Sequence, residues 1–348
     1  MLGISSTSVE VNPFLADLIE AKLSPVAPAA FCAAYERLIT GLEINAADAL
    51  PVAGMPPTLV APGFKDRYVF PTDVYSTARA ILRACGSMEP DQARLLRVLL
   101  GSVLVPNSNV VINGKGRRYR RAWQSKEKSR SDLISSLDAA VDIASADLTM
   151  FAGLLRGKHK VLRGDARVTL ADVDEADVAI FSPPYPNSFD YTDVYNLELW
   201  MLGYLNSAPD NRALRHRTLR SHVQMKWQTT SRYASSAMLD VTLEALRSAR
   251  GDLWNPNIPE MVGFYFDDLC RVFKQLARIL KRGRHVVVAI GDSQYAGVHI
   301  DVASILIESL VGLGFHLAER GAIRSMRNSS QHGGAFELSE HCLVFERV

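Results

Sequence analysis

From residue 159 onward, short apolar runs alternate with longer segments of helical period. "HKVLRGDA", "DVAIFSPPY" and "HVVVAIGDS" each read as a β-branched strand halted by a polar turn, at Gly164-Asp165, Ser182 and Gly291, and "FHLAERGAIRS" and "HCLVFERV" supply two more. Helical patterns fit between them, notably "MVGFYFDDLCRVFKQLARIL", which Lys281-Arg282-Gly283 is expected to close with positive charge and a C-cap glycine. Strands separated by helices predict an α/β fold with a mainly parallel, doubly wound sheet. Ligands of such sheets collect at the carboxyl ends of the strands.

The first part of the chain reads differently. "STSVEVNPF" predicts a short strand over Ser8–Val11, stopped at Asn12-Pro13 and followed by the helical "FLADLIEAKL". Further helices are expected at "PAAFCAAYERLITGLE", "TDVYSTARAILRAC" and "EPDQARLLRVLLGSVL", the last started by Glu89-Pro90, with a Pro- and Gly-rich connection at "LPVAGMPPTLVAPG". A polar stretch and a long amphipathic helix from about Ser131 to Leu155 complete this part. The expected organisation is residues 1–24 opening the α/β core, 25–158 as a largely helical insertion with a basic segment at 114–130, and 159–348 completing the core, with a further insertion over 200–260.

Composition narrows the classes. With 348 residues, 48% hydrophobic and 22% charged, the chain resembles an ordinary globular protein. No apolar segment approaches the roughly 20 residues that span a bilayer, so no membrane partner and a cytoplasmic location are expected. Cys32, Cys85, Cys270 and Cys342 are scattered without a CxxC pair or a histidine at ligand spacing, which predicts reduced thiols and no metal.

Net charge is only +2, yet it is unevenly spread. Gly114–Arg130 holds eight Lys or Arg against one Glu, with Tyr119 and Trp123 interleaved. Lys115, Arg117, Arg118, Arg120 and Arg121 are therefore candidates for phosphate contact, and the two rings for base stacking. A second cluster, Asn211–Trp227, contributes Arg215 and Arg217. A solvated basic loop and a plain amphipathic helix are the competing readings.

The stretch "FSPPYPNSFDY" carries the most specific chemistry. Pro183 and Pro184 fix their own φ and keep Ser182 and Pro183 extended, so carbonyls are held rigidly with no proline N–H to satisfy them. The result is a hydroxyl, a fixed acceptor and the ring of Tyr185 at a strand end. Two acceptors, the Ser182 hydroxyl and the Pro183 carbonyl, can take both hydrogens of an exocyclic base amine and free its lone pair to attack an electrophilic methyl group. Tyr185 can stack on a base flipped out of the duplex. A plain strand-to-loop turn is the alternative.

The order of motifs resembles the amino-methylating DNA methyltransferases, which make N4-methylcytosine or N6-methyladenine and whose signature is Ser, Asn or Asp before Pro-Pro and an aromatic. "SPPYPNSFDYTDVYNLELWMLGYL" is similar to the longer signature of the cytosine-N4 branch, and "LSEHCLVFERV" to the family's last strand. The resemblance covers about the first 20 residues and most of 160–348. It implies a Rossmann-like methyltransferase sheet and a catalytic set of Ser182, Pro183, Pro184 and Tyr185. It also implies S-adenosylmethionine as cofactor, with Glu10 and neighbouring Asn12 at the ribose and Asp165 and neighbouring Ala166 at the adenine. The implied substrate is duplex DNA within restriction-modification, with methyl transfer to cytosine N4 preferred over adenine N6. Strand-end and helix-cap roles compete at Glu10 and Asp165, and Asp292 in "AIGDS" reads as a turn aspartate.

One family element is missing. The glycine-rich turn Asp-Pro-Phe-x-Gly-Ser-Gly-Thr, which precedes the acidic strand and approaches the methionine part of the cofactor, has no counterpart before "SVEVNP". "NGKGRR" and "GLGF" do not replace it. The first, normally central strand, lying between those that end at Glu10 and Ser182, is thus expected to be absent. A misassigned start, a separate polypeptide supplying the strand, or a degenerate remnant would each account for this, the first two being preferred. A companion restriction nuclease is a further partner implied by the family, and a DNA-binding subunit without cofactor is the rival reading.

Overall fold

The computed structural model describes residues 3–113, 116–154, 157–227, 233–326 and 338–348. The chain divides into two compact units, Met1–Arg163 with Tyr191–Arg215, and Gly164–Asp190 with His216–Val348.

The first unit is mostly helical. Strand β1 (Ser6–Glu10) leads into α1 (Pro13–Leu23), then come α2 (Pro28–Thr40), α3 (Thr72–Ala84), α4 (Pro90–Leu104), the hairpin β2 (Val110–Asn113) and β3 (Gly116–Tyr119), α5 (Arg130–Met150) and β4 (His159–Arg163). Local signals set these limits. The Asn12 side chain accepts the N–H groups of Phe14 and Leu15 ahead of Pro13, and Ser129 with Asp132 forms a capping box on α5. β1 and β4 pair in parallel, Glu10 opposite Arg163, across the long helical crossover that parallel pairing requires. Phe31, Phe70, Tyr75 and Trp200 fill the core of this unit.

The chain returns to the first unit through α7 (Tyr191–Val194) and α8 (Asn196–Met201), and α9 (Ala208–Arg217) follows. Two expectations change here. The first strand starts and ends earlier than Ser8–Val11, so Glu10 is its last residue. The strand run Val110–Ile112, expected as part of a polar stretch, pairs antiparallel with Arg117–Tyr119.

The second unit contains α6 (Ala166–Thr169), β5 (Ala176–Phe181), α10 (Ala237–Ser248), α11 (Ile258–Ile279), β6 (Leu280–Gly291), a hairpin of β7 (Ser293–Tyr295) and β8 (Val298–Ile300), α12 (Val302–Val311), β9 (Phe315–Met326) and β10 (Leu338–Arg347). Its sheet has the order β5-β6-β10-β9. Only β5 and β6 are parallel; β10 runs antiparallel to both neighbours. The expected mainly parallel sheet is therefore corrected at its far side, where β10 runs between β6 and β9 and pairs with both in the antiparallel pattern.

α11 does not end at a glycine cap. Leu280 is already extended and pairs with Ala176, while Gly283, at φ +76°, lies within an irregular start of β6. The expected basic helix terminus instead faces acidic residues across the strands: Lys281 meets Glu175 at 2.8 Å and Arg284 meets Asp177 at 3.0 Å.

One face of this sheet is closed by α11 and α12. Val286, Val288, Ile290, Leu343 and Phe345 are fully buried there, and Phe273 packs on Phe181, Phe315 and Phe345 with centroids 5.9, 5.2 and 5.6 Å away. The alternate positions of β5 face the other way, and Val178 and Ile180 are 47% and 74% exposed. Among the described residues β5 has a strand partner on one edge only.

Glu198 on α8 offers a check on the packing of the first unit. It is 7% exposed, and its Oε2 has no hydrogen-bond partner among the described residues. Burial pushes its carboxyl up to about 7 from an ordinary 4.5. The folded state then holds a proton that the unfolded state releases, so stability falls as pH rises from the ordinary value through the folded one. Glu198→Gln should match the parent at pH 5 and exceed it at pH 8 by up to roughly 3 kcal/mol. Urea denaturation at the two pH values measures this; equal stabilities at pH 8 would refute the buried-carboxyl assignment.

Candidate active site

Ser182 is exposed at the carboxyl end of β5, with Pro183 buried behind it and Pro184 and Tyr185 half-buried. The Tyr185 hydroxyl donates to the Glu340 carboxylate on β10, and Arg324 Nε on β9 donates to the same group at 2.6 Å. The Tyr185 bond and the Arg324 guanidinium hold the Glu340 carboxyl below its ordinary range, so it is ionised at neutral pH.

A second hydroxyl fixes the next proline. Buried Tyr295 on β7 donates to the Pro186 carbonyl at 2.9 Å, and burial raises its phenol far above the ordinary value, keeping it a donor. Beyond the corner, Ser188 takes a positive φ of 60°, gives its N–H to the Ser221 carbonyl at 3.0 Å and accepts Val223 N–H at 3.3 Å. Residues 182–188 are thus tied to β7, to β10 and to the 221–223 segment.

Glu10 and Asn12 belong to the first unit. Glu10 closes β1 and accepts the Asn12 N–H at 2.7 Å; burial raises its carboxyl, with the Asn12 and Val11 backbone opposing. The Asn12 side chain is engaged as the α1 cap.

Asp165 belongs to the second unit, where its side chain caps α6 by accepting Arg167 N–H at 2.9 Å; Ala166 is the first residue of that helix. The Arg167 guanidinium also binds both Asp165 oxygens, and then reaches Asp268 at 2.7 Å. Asp268 in turn holds Arg220 at 2.6 Å, and it is 1% exposed. Gly164 precedes this turn for a steric reason, because a Cβ there would lie 2.3 Å from Thr169 Oγ1.

The basic residues sort into different environments. Arg117, Arg118, Arg121 and Arg217 are exposed. Arg120 instead donates to the carbonyls of Ser108, Val105 and Pro106 at 3.0, 2.9 and 3.3 Å, and Arg215 pairs with Asp193. Lys115 lies outside the described residues. Trp123 is not an open stacking surface: it is 7% exposed and packs edge-on against Tyr68 at 5.1 Å and beside Tyr119 at 5.8 Å. The expectation of stacking by Trp123 is corrected accordingly, an apolar ring of that size being more stable in the core than in water.

With this geometry in view, the comparisons with known proteins gain meaning. No family model matches the chain. Type II methyltransferase M.AvaI of Nostoc sp. is 33% identical over 172 residues, covering 46% of this chain and 35% of that protein. Type II methyltransferase M.BsoBI of Geobacillus stearothermophilus is 29% identical over 202 residues, covering 51% and 39%. Over these stretches the chain is similar to Type II methyltransferases. It spans well under half the length of these curated relatives. A Thermus thermophilus protein described as a DNA modification methylase, solved also with S-adenosyl-L-methionine, matches at a TM-score of 0.27 and 17% identity, over 53% of this chain and 52% of that one. At that score the likeness assigns no fold.

For a relative of Type II methyltransferases, two residues around the corner escaped the sequence reading, Glu340 and Tyr295. The signal for Glu340 is a lone carboxylate one place before the apolar alternation of "HCLVF". Tyr295 gives none, since a tyrosine after "GDSQ" is as compatible with a surface hairpin. Asp292 caps the start of α12 by accepting Val302 N–H at 3.1 Å, and faces His299 at 3.4 Å and His341 at 3.8 Å.

The ionic chain around Asp165 generates a stability prediction. Asp268→Ala leaves Arg167 and Arg220 in the interior without their shared carboxylate, and should lower the unfolding free energy by about 3–5 kcal/mol. Urea titration followed by circular dichroism provides the measurement, and a loss below about 1 kcal/mol would show the network to be incidental.

Proposed function

We propose that the chain is a site-specific DNA methyltransferase, or the base-binding part of one, that transfers a methyl group from S-adenosylmethionine to an exocyclic amine, cytosine N4 in preference to adenine N6. The observation that carries this reading is the corner at the end of β5: an exposed Ser182 beside two prolines, followed by a ring whose hydroxyl is tied down elsewhere. The relatives' identity as Type II methyltransferases agrees with it.

S-adenosylmethionine would supply an electrophilic methyl group. The rest of the chemistry belongs to the chain. The Ser182 hydroxyl and the Pro183 carbonyl accept the two amine hydrogens, which draws the nitrogen lone pair out of conjugation and orients it. The face of Tyr185 stacks on the extruded base. Glu10, a carboxylate at a strand end, suits the ribose hydroxyls. Asp165 fits less well, because Arg167 already occupies its carboxylate. Arg117, Arg118, Arg121 and Arg217 are the exposed cations suited to duplex phosphates, and the preference for cytosine rests on Ser182 at the head of the corner.

The glycine-rich turn that cradles the methionine part is assigned to a segment outside the described residues, on a longer form of this polypeptide or on a partner chain. The edge of β5 that has no strand partner among the described residues, and the exposure of Val178 and Ile180, support the addition of a strand and its covering helix there. The same openness favours, as a second reading, a DNA-binding subunit that holds no cofactor. Calorimetry with S-adenosylmethionine on this chain and on a form extended upstream separates the two: binding by neither form, with DNA binding retained in both, would select the subunit.

Catalysis is tested by tritiated methyl incorporation into unmethylated bacteriophage lambda DNA. Ser182→Ala should reduce it by about 100-fold or more, as the loss of one preorganised acceptor does; unchanged incorporation would overturn the assignment of the corner. Chromatography of the digested product decides between N4-methylcytosine and N6-methyladenine. Separately, the triple change Arg117→Ala, Arg118→Ala and Arg121→Ala should reduce the slope of log affinity against log salt by about 2–3. A slope equal to the parent's would move the duplex away from the β2–β3 hairpin.

A further inference from the structure

Resting on the methyl-transfer reading above, we infer that Glu340 is a positioning residue: it holds the ring of Tyr185 through the phenolic hydroxyl, so that Tyr185 presents its face to the base and keeps its hydroxyl away from it. The residues lie on different elements of one unit. Tyr185 follows β5, Glu340 is on β10, and Arg324 is its neighbour on β9, opposite Glu340 in the strand register.

Several observations make the contact more than a chance surface pair. Glu340 is 8% exposed, so its carboxylate has been taken out of water and must be compensated. Two donors provide that compensation, one neutral and one charged, from two separate segments of the chain. The receiving strand is firmly placed: Glu340 pairs with Gly291 of β6 and again with Arg324 of β9. A rigid strand thereby fixes the end of a ring whose own backbone, flanked by Pro184 and Pro186, contributes few donors.

The geometry also divides the functions of Tyr185. A phenol that donates to an ionised carboxylate has its proton committed to a charge-assisted bond, which is stronger than a bond to a neutral acceptor. The base then meets the ring alone, through stacking. Removing the hydroxyl or removing the carboxylate breaks the same contact, so each should loosen the ring by a similar amount.

The experiment is a double-mutant cycle on methyl transfer to unmethylated lambda DNA. Tyr185→Phe and Glu340→Ala should each lower kcat by about tenfold, and the double variant should fall no further than the weaker single variant. KM for S-adenosylmethionine and the thermal midpoint should stay near the parent values, which a merely structural role would not produce. Glu340→Gln, whose amide oxygen can still accept the phenol, should recover most of the rate, and Tyr185→Ala should fall well below Tyr185→Phe. Additive losses, or a loss seen only in the midpoint, would overturn the role of Glu340 while leaving methyl transfer standing. A parent chain, extended or not, that incorporates no methyl group would overturn the methyl-transfer reading and this role with it.

Discussion

The segment Pro183-Pro184-Tyr185-Pro186 has three residues without a backbone N–H, and that shortage governs the site. A strand end of ordinary composition could continue its ladder or close a turn with its own amides. This one has few amides to do so with, and side chains from outside fix much of its position. Tyr185 reaches to Glu340, the Pro186 carbonyl takes the Tyr295 hydroxyl, and after Pro186 the N–H groups of Asn187 and Ser188 bond the Tyr185 and Ser221 carbonyls.

The surrounding architecture follows from that need. Anchors must come from elements that are themselves fixed, and β10 is, being paired on both sides by β6 and β9. The β7–β8 hairpin that carries Tyr295 is placed by Asp292, whose N–H bonds the Ser339 carbonyl and whose carboxylate takes the N–H of Val302. The Phe273 cluster then clamps α11 onto the same strands. Carbonyl groups held in this way are preorganised and need not move to accept a hydrogen bond.

Much of this was legible before the structure. Short β-branched runs with polar stops located β4, β5, β6, β9 and β10 within a few residues, and the Pro-Pro dipeptide identified the corner by local stereochemistry alone. What was not legible depends on partners distant in sequence. A count of charges ranks Arg120 with Arg117 and Arg118, but only the fold shows that three carbonyls near Ser108 surround its guanidinium. Trp123 looks like a stacking ring in a basic run until Tyr68 packs edge-on against it. Gly283 resembled a helix cap because the pairing of Leu280 with distant Ala176, which starts the strand before the glycine, has no local signature. Asp165 was open to two readings, and its place in the buried Arg167–Asp268–Arg220 chain, drawn from three separate segments, has no local signature.

The anchors of the corner, Glu340 and Tyr295, and the 221–223 segment all belong to the same unit as β5, and β10, which carries Glu340, lies beyond β6 in the sheet. The open edge of β5 and the exposed Val178 and Ile180 lie apart from this set of bonds. Residues 182–188 receive the hydrogen bonds that orient them from within the second unit. Whatever meets the edge of β5 that lacks a strand partner among the described residues therefore leaves those bonds in place, because none of them comes from that edge.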